Sequence, residues 1–287
     1  MNDVQPQAPA SGTERPLVSV VIPVKDSIRT IEACLRSIRA QTWERLELVV
    51  IDNFSTDGTW EVVQRYAHYA EQAGPERSAQ RNLGIERAKG SWVLWIDADM
   101  ELPPAIIERA VEVALDEEAD GVFVPEVTVG DGYWTACRAL ERSCCVEEIL
   151  VQSPRLVRRD YLRRTGGFLE SLSGTEDAEL RTRMIADGCC LAWIPDLIVH
   201  DEGRMSLGFI WSKRYYYGRG LKEYRAEHPG ALSEQAGSAV GAYRRHWRRL
   251  AAKPTVAAGV VFLRAGEFAA YGIGAALGAL ERPDRSP

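Results

Sequence analysis

The sequence predicts an α/β fold, a mostly parallel sheet sandwiched by helices, and three observations carry that prediction. Runs rich in β-branched residues alternate with helix-period segments from residue 17 to residue 99. In the run Ser91-Trp-Val-Leu-Trp-Ile-Asp97-Ala-Asp99-Met100 every position from Trp92 to Ile96 is apolar before the run stops at two carboxylates, as in a strand buried on both faces. The strand-like runs end in polar residues, which a parallel sheet delivers to one edge, where ligands bind.

A chain of 287 residues with 46% hydrophobic content can bury one large core or two small ones. With 35 Lys and Arg against 41 Asp and Glu, the net charge of -6 argues against a nucleic-acid partner. Basic residues nevertheless cluster at Arg155, Arg158, Arg159, Arg163 and Arg164, from Lys213 to Arg225, and from Arg244 to Lys253. The six cysteines include two adjacent pairs and no Cys-x-x-Cys, so zinc-ligand and redox spacings are missing. With no apolar leader before them, a reducing cytoplasm is the expected location.

Residues 1–15, rich in Pro, Ala, Gln and Ser, are expected to form a disordered tail. The stretch 17–23 reads as a first strand, followed by a helix with Ile28, Ile31, Leu35 and Ile38 on its apolar face and Asp26 or Ser27 as cap. A second strand, 46–51, ends at Asp52-Asn53, and the turn after it caps a helix from Trp60 to about Ala73. Lys25, Asp26, Asp52 and Asn53 thus reach one sheet edge, where a nucleotide fits. Gly74-Pro75 precedes a helix carrying Arg81, closed at Lys89-Gly90 by a left-handed glycine. If the third strand stays extended through residue 99, Asp97 and Asp99 point the same way. They then suit a divalent cation bridging to phosphate, or else form a solvated acidic turn.

Pro103-Pro104 opens a further helix, and 121–129 is a strand bent at Pro125. The helix 134–149 carries Trp134, Cys137, Leu140, Cys144 and Cys145 as a stripe that suits a core. A short strand at 151–157, a Gly166-Gly167 turn and a helix from 173 to Asp187 follow, the last burying Leu180, Met184 and Ile185. Glu176 and Asp177 lie in that helix's first turn, where the macrodipole favours acids. The apolar segment 191–199 brings His200 to a strand end, opposite Asp99, as a metal ligand or a structural imidazole. In 211–220, Lys213 and Arg214 are expected to clamp a diphosphate or lipid phosphate, with Tyr217 against the sugar; a solvated basic face is the alternative. Near the C-terminus, basic residues 244–249 precede an apolar, small-residue segment interrupted by Arg264 and Glu267. That pattern fits a helix lying on a cytoplasmic membrane face, or an oligomer contact, better than a membrane span.

Val20-Val-Ile-Pro23-Val24-Lys25, Val50-Ile-Asp52-Asn53-Phe-Ser-Thr-Asp57-Gly58-Thr59, Arg81-Asn82-x-Gly84 and Ile96-Asp97-Ala-Asp99-Met100 resemble the successive blocks of family 2 glycosyltransferases with the GT-A fold. The resemblance continues through Gly166-Gly-Phe168-x-Glu170 and Glu176-Asp177. It implies a Rossmann-like nucleotide-sugar-binding half at 16–130, an acceptor-binding half at 131–228 and a helical C-terminal extension at 229–287. It further implies an inverting, metal-dependent enzyme moving a sugar from a UDP- or GDP-linked donor to a small-molecule, lipid or glycan acceptor. On that analogy Pro23 and Val24 frame the base pocket, Asp52 contacts the base, Arg81 supports the site, and Asp97 lies near the ribose or metal waters. Asp99 ligates Mn²⁺ or Mg²⁺, Asp177 is the general base, and Glu176, Trp134, Arg204 and Tyr217 serve the acceptor side. Three rivals remain. A polyprenyl-phosphate glycosyltransferase would need no base, and a silent sugar-nucleotide-binding module would not react. A nucleotidyltransferase would want the glycines that Val24-Lys25-Asp26-Ser27 lacks.

Overall fold

The computed structural model describes residues 15–172, 174–219, 224 and 228–280. The expected N-terminal tail lies outside the described residues apart from Arg15, whose guanidinium stands 4.8 Å over the Trp43 ring.

Strands β1 (Val18–Val24), β2 (Leu46–Asp52), β3 (Tyr69–Gln72) and β4 (Trp92–Trp95) run parallel in the order β3-β2-β1-β4. Between them lie α1 (Ile31–Arg39), α2 (Thr59–Tyr66) and α3 (Arg77–Arg87). All seven residues of β1 and all four of β4 are buried, as the unbroken apolar runs require. Alternation sends Val20, Ile22, Val50 and Leu94 to one face, under α1 and α2, and Val21, Val49, Val93 and Trp95 to the other.

The short β5 (Met100–Glu101) precedes α4 (Ile106–Asp116), β6 (Gly121–Phe123) and β7 (Glu126–Val129). The bend expected at Pro125 is a change of sheet: β6 stays in the large sheet, whereas β7 joins a second, three-stranded one. Helix α5 (Tyr133–Cys145), a 3-10 turn (Ile149–Val151), β8 (Pro154–Arg158), α6 (Arg159–Thr165) and α7 (Glu176–Ala186) follow. Strand β8 pairs antiparallel with β4, so the large sheet is mixed beyond its centre. The apolar stretch after α7 is likewise split, into β9 (Leu191–Trp193) in the large sheet and β10 (Ile198–Asp201) between β5 and β7. The chain ends in α8 (Leu207–Arg219), α9 (Ala231–Arg245), α10 (Trp247–Ala251) and α11 (Pro254–Leu280).

Several expectations change. Helix α2 stops at Tyr66, and Tyr69–Gln72 form an edge strand paired with Val49–Asp52, because an available sheet edge outweighs the helical preference of Ala, Glu and Gln. Asp26 does not cap α1. It takes a left-handed conformation, and its carboxylate accepts the Thr56 N–H at 2.8 Å, tying β1's end to the loop after β2. Ile28 and Ile185 are exposed rather than buried. Gly90 provides close approach instead of a left-handed cap, since a Cβ there would meet the Leu17 carbonyl at 2.6 Å. The segment 159–165, read in the sequence only as part of a cluster of arginines, is helical.

Helix α11 runs unbroken through Arg264 and Glu267, whose charges are matched from α5 and α8. Glu267 is 3% exposed and meets Arg138, Arg214 and Arg264; Glu141 meets Arg138 and Arg264. Burial pushes the Glu267 carboxyl up, but Arg214, Arg138 and Arg264 overcome it and hold it at about 2. Glycines let α11 cross α8 closely: a Cβ on Gly266 would overlap the Trp211 ring, and one on Gly274 the Tyr215 carbonyl. The small-residue face is therefore used within the chain.

Candidate active site

The four blocks converge at the carboxyl ends of β1, β2 and β4, and local chemistry explains each. Asp52 is fully buried, and its carboxylate accepts from the Ser55 N–H and hydroxyl and from Gln72 Nε2 at 2.8 Å, which closes the loop after β2. Asn53 donates its backbone N–H to Val24 at 2.8 Å and its side-chain amide to Pro75 at 2.7 Å. Pro23 and Val24 are buried at the end of β1, with Asp26 exposed beyond them.

Helix α3 lies across these strand ends. Gln80 donates to the carbonyls of Val24 and Ile51. Asn82 clamps the turn after α6, donating to the Phe168 carbonyl and to Glu170 and accepting the Phe168 N–H. Gly84 is required because a Cβ would overlap Val21. Trp95 meets Phe168 edge-on at 5.1 Å, and the opposite partner of Phe168 is Arg81, 5.1 Å from its ring.

Arg81, completely buried, is thereby fixed between two elements far apart in sequence. It donates to Asp97 Oδ1 and to Asp177 Oδ1, each at 2.8 Å. Arg77, one helical turn earlier, pairs with Glu176 and stands 3.9 Å from Asp97. Arg155, one of the clustered arginines, is only 7% exposed, because antiparallel pairing of β8 with β4 brings it alongside the Asp97 end of the central strand. Burial raises the Asp97 carboxyl, but Arg81, Arg77 and Arg155 pull it far below the ordinary carboxylate range. Asp177 behaves similarly: burial pushes it up, and Arg81, then Arg155 and Arg77, bring it below its usual value.

Asp97 and Asp99 do not point the same way. The chain turns after Ile96, with the Met100 N–H donating to the Asp97 carbonyl at 3.1 Å, so the two carboxylates part. Asp99 faces His200 instead, Oδ2 to Nε2 at 3.2 Å, because β10 pairs antiparallel with β5 and sets His200 opposite Met100. The other ring nitrogen lies 3.3 Å from Glu126 and 3.1 Å from Arg142. Nδ1 thus lies between the Arg142 donor and the Glu126 acceptor, and the tautomer with Nδ1–H donating to Glu126 would leave the Nε2 lone pair free to share a cation with Asp99. Asp99 Oδ1 is buried without a partner among the described residues. A carboxylate and an imidazole so placed fit a divalent cation of the Mn²⁺ type. Among the described residues no group of three or more His, Cys, Asp or Glu forms a metal cage, so diphosphate and water oxygens would complete the shell.

Tyr217 comes to the site: with Arg77, Gly174 and Glu176 it lines a recess of about 230 Å³, and a Cβ on Gly174 would overlap its ring. Lys213 is exposed, its Nζ 5.8 Å from the Tyr217 ring. Three expected residues are placed elsewhere. Arg214 is held by Glu267 at 2.8 Å, where a buried carboxylate outcompetes the cleft for its charge. Trp134 stacks on Phe262 at 5.8 Å in the apolar cluster joining α5, α8 and α11, which fits its place on the core stripe. Arg204 is exposed and lies over Gly132. Arg77, Glu126 and Arg142 join the site without any role expected for them from sequence, and Arg155 was expected only as part of a basic cluster. Arg77 was detectable from its i,i+4 spacing to Arg81, and Arg155 from being a cation at an interior position of a short strand.

The family model described as glycosyl transferase family 2 matches residues 19–165. The uncharacterized glycosyltransferase YibD of Escherichia coli is 35% identical over 109 residues, 36% of this chain and 32% of YibD, so that match spans about a third of the relative's length. Glycosyltransferase AglE of Haloferax volcanii is 27% identical over 222 residues, 71% of this chain and 73% of AglE. Among solved structures, mannosyltransferase PcManGT of Pyrobaculum calidifontis, in complex with GDP-Man and Mn²⁺, superposes with a TM-score of 0.58 at 25% identity, covering 94% of this chain and 82% of that one.

Proposed function

We propose, from the premise that this chain belongs to glycosyl transferase family 2, that it moves a sugar from a nucleotide diphosphate to an acceptor hydroxyl with inversion and with the help of a divalent cation. The observation that carries this reading is Arg81, which ties Asp97 at the tip of the central strand to Asp177 across the cleft. The donor diphosphate lies along the strand ends beside Asp97 and Asp99, and Arg77 and Arg155 offset its charge. A divalent cation held by Asp99 and His200 would stabilise the negative charge growing on the departing diphosphate. The complex of PcManGT with GDP-Man and Mn²⁺ supports that composition of donor and metal.

Asp177 accepts the acceptor hydroxyl's proton as the oxygen attacks the anomeric carbon from the face opposite the leaving group. A single attack of this kind inverts the carbon. Arg81 keeps Asp177 ionised at neutral pH, the protonation state a base needs, but lowers its proton affinity. Burial by bound substrate works the other way, and a base so poised contributes a factor of about 10²–10⁴. The test is Asp177→Asn, assayed for sugar transfer with UDP- and GDP-linked donors and for nucleotide binding by calorimetry with Mn²⁺. Transfer should fall at least a hundredfold while nucleotide affinity stays within twofold. An equal loss of both would remove Asp177 from the base role, and turnover of no donor would leave a sugar-nucleotide-binding module.

A further inference from the structure

Helices α9 and α11 and the 3-10 turn enclose an apolar groove of about 330 Å³, walled by Val151, Leu232, Ala236, Val240, Phe268 and Tyr271. Its inner end shares Val151, Arg214, Ala239 and Arg264 with a polar cavity of about 200 Å³ that extends to Glu126 and Arg142. Those two residues are the ones beside His200 Nδ1, whose other nitrogen faces Asp99. The groove and the polar cavity therefore share a wall, and the cavity reaches the two residues that contact His200.

The two spaces differ in character. Around the polar cavity Arg138, Arg142, Arg214 and Arg264 meet Glu126, Glu141, Glu202 and Glu267, and Arg155 on Glu126 leaves one positive charge in excess. At the mouth, Val240 is 56% and Phe268 69% exposed, on the side of α11 that α5 and α8 do not cover. Within Pro254–Gly278 of α11 an 18-residue stretch has a mean hydropathy of 1.4 with only 22% of it buried, so length and composition suit contact with hydrocarbon. Exposed Arg244, Arg248 and Lys253, with Trp247, stand near the start of this helix, the composition that favours an anionic bilayer surface. Apolar walls reward a ligand for the apolar area it covers, which a free saccharide or nucleoside lacks.

We propose that this groove binds the acceptor, and that the acceptor is a membrane-resident amphiphile. Its long apolar chain lies between α9 and α11, a phosphate sits among the arginines, and its hydroxyl-bearing head group extends past Glu126 and Arg155 toward the cleft. Arg155 joins the two regions: it pairs with Glu126 at 3.0 Å, and its charge acts on Asp177. The inference rests on the transferase reading for the head group's fate, but the groove can be tested by binding alone.

The probe is farnesyl phosphate, measured on the full chain by equilibrium dialysis, with farnesol and inorganic phosphate as controls. Farnesyl phosphate should bind at least tenfold more tightly than farnesol, and millimolar inorganic phosphate should not displace it. Ala236→Trp, which fills the groove from an exposed helix position, and Val240→Asp, which charges its mouth, should each weaken binding at least tenfold. Both variants should keep the parent's melting temperature and its Mn²⁺-dependent affinity for nucleoside diphosphates. Unchanged farnesyl phosphate affinity in both variants would overturn the proposal, as would displacement by inorganic phosphate alone. Equal partitioning of parent and variants onto phosphatidylglycerol vesicles lacking the probe, with no gain when it is added, would reassign the surface to simple adsorption. Loss of nucleotide binding by the parent chain alongside intact farnesyl phosphate binding would count against the transferase reading and spare the groove.

Discussion

Arg81→Met removes a fully buried cation from between two carboxylates while keeping most of the side chain's length. Breaking a buried ion pair costs about 3–5 kcal/mol. Here the Asp97 and Asp177 side chains remain 22% and 31% exposed, so solvent screens part of the loss and about 2–3 kcal/mol is the fitting range. Loss of the contact with the Phe168 ring adds roughly 0.5–1 kcal/mol. The total, about 3 kcal/mol, corresponds to a fall in melting temperature of about 6 °C for a chain of this size. The pH dependence gives the sharper test. Both carboxyls lie below their ordinary value of 3.8 in the folded chain, so their stabilising contribution is complete above that value and is lost as pH falls through the folded values. Without Arg81, burial and mutual repulsion raise both, and protonation then relieves the variant as the pH drops. Urea denaturation followed by tryptophan fluorescence should therefore show the full penalty at pH 7 and a clearly smaller one at pH 4. A penalty below about 1 kcal/mol at pH 7, or one that does not change with pH, would refute the assignment of Arg81 as the charge bridge.

Asp99→Ala should abolish the Mn²⁺ dependence of nucleoside diphosphate binding in calorimetry, since the carboxylate with the unpartnered buried oxygen is lost; unchanged affinity with added metal would dismiss Asp99 as a ligand. Gly274→Ala should cost roughly 1–3 kcal/mol in equilibrium unfolding, because its methyl would overlap the Tyr215 carbonyl where α11 crosses α8. A neutral effect there would mean that the two helices cross less closely than described.

The large sheet and its order of elements were legible because burial on both faces writes an unmistakable pattern. No polar residue interrupts Trp92–Trp95, and none of those four residues is exposed. The arginine motif was equally readable in kind, although its mechanics were not. That Asn82 clamps the 167–170 turn and that Gly84 lies against Val21 are long-range facts with no local signature. Short edge strands such as Tyr69–Gln72 escaped because their pairing partner, not their composition, makes them strands. Arg214 and Trp134 were expected at the cleft, and their nearest opposite charge and nearest rings decided otherwise.

By itself the sequence determined the alternation of strands and helices, the polar residues at the strand ends and the pairing of acids with a helix N-terminus at Glu176-Asp177, since each is a local consequence of period, capping and charge. Tertiary structure alone decided which acid meets which partner. Asp97 turned to Arg81 while Asp99 turned to His200, because one tight turn after the central strand and the antiparallel register of β10 send two neighbouring carboxylates to different partners. A Coulomb interaction depends on separation in space, and only the closed sheet converts a sequence separation of 96 between Arg81 and Asp177 into one hydrogen bond.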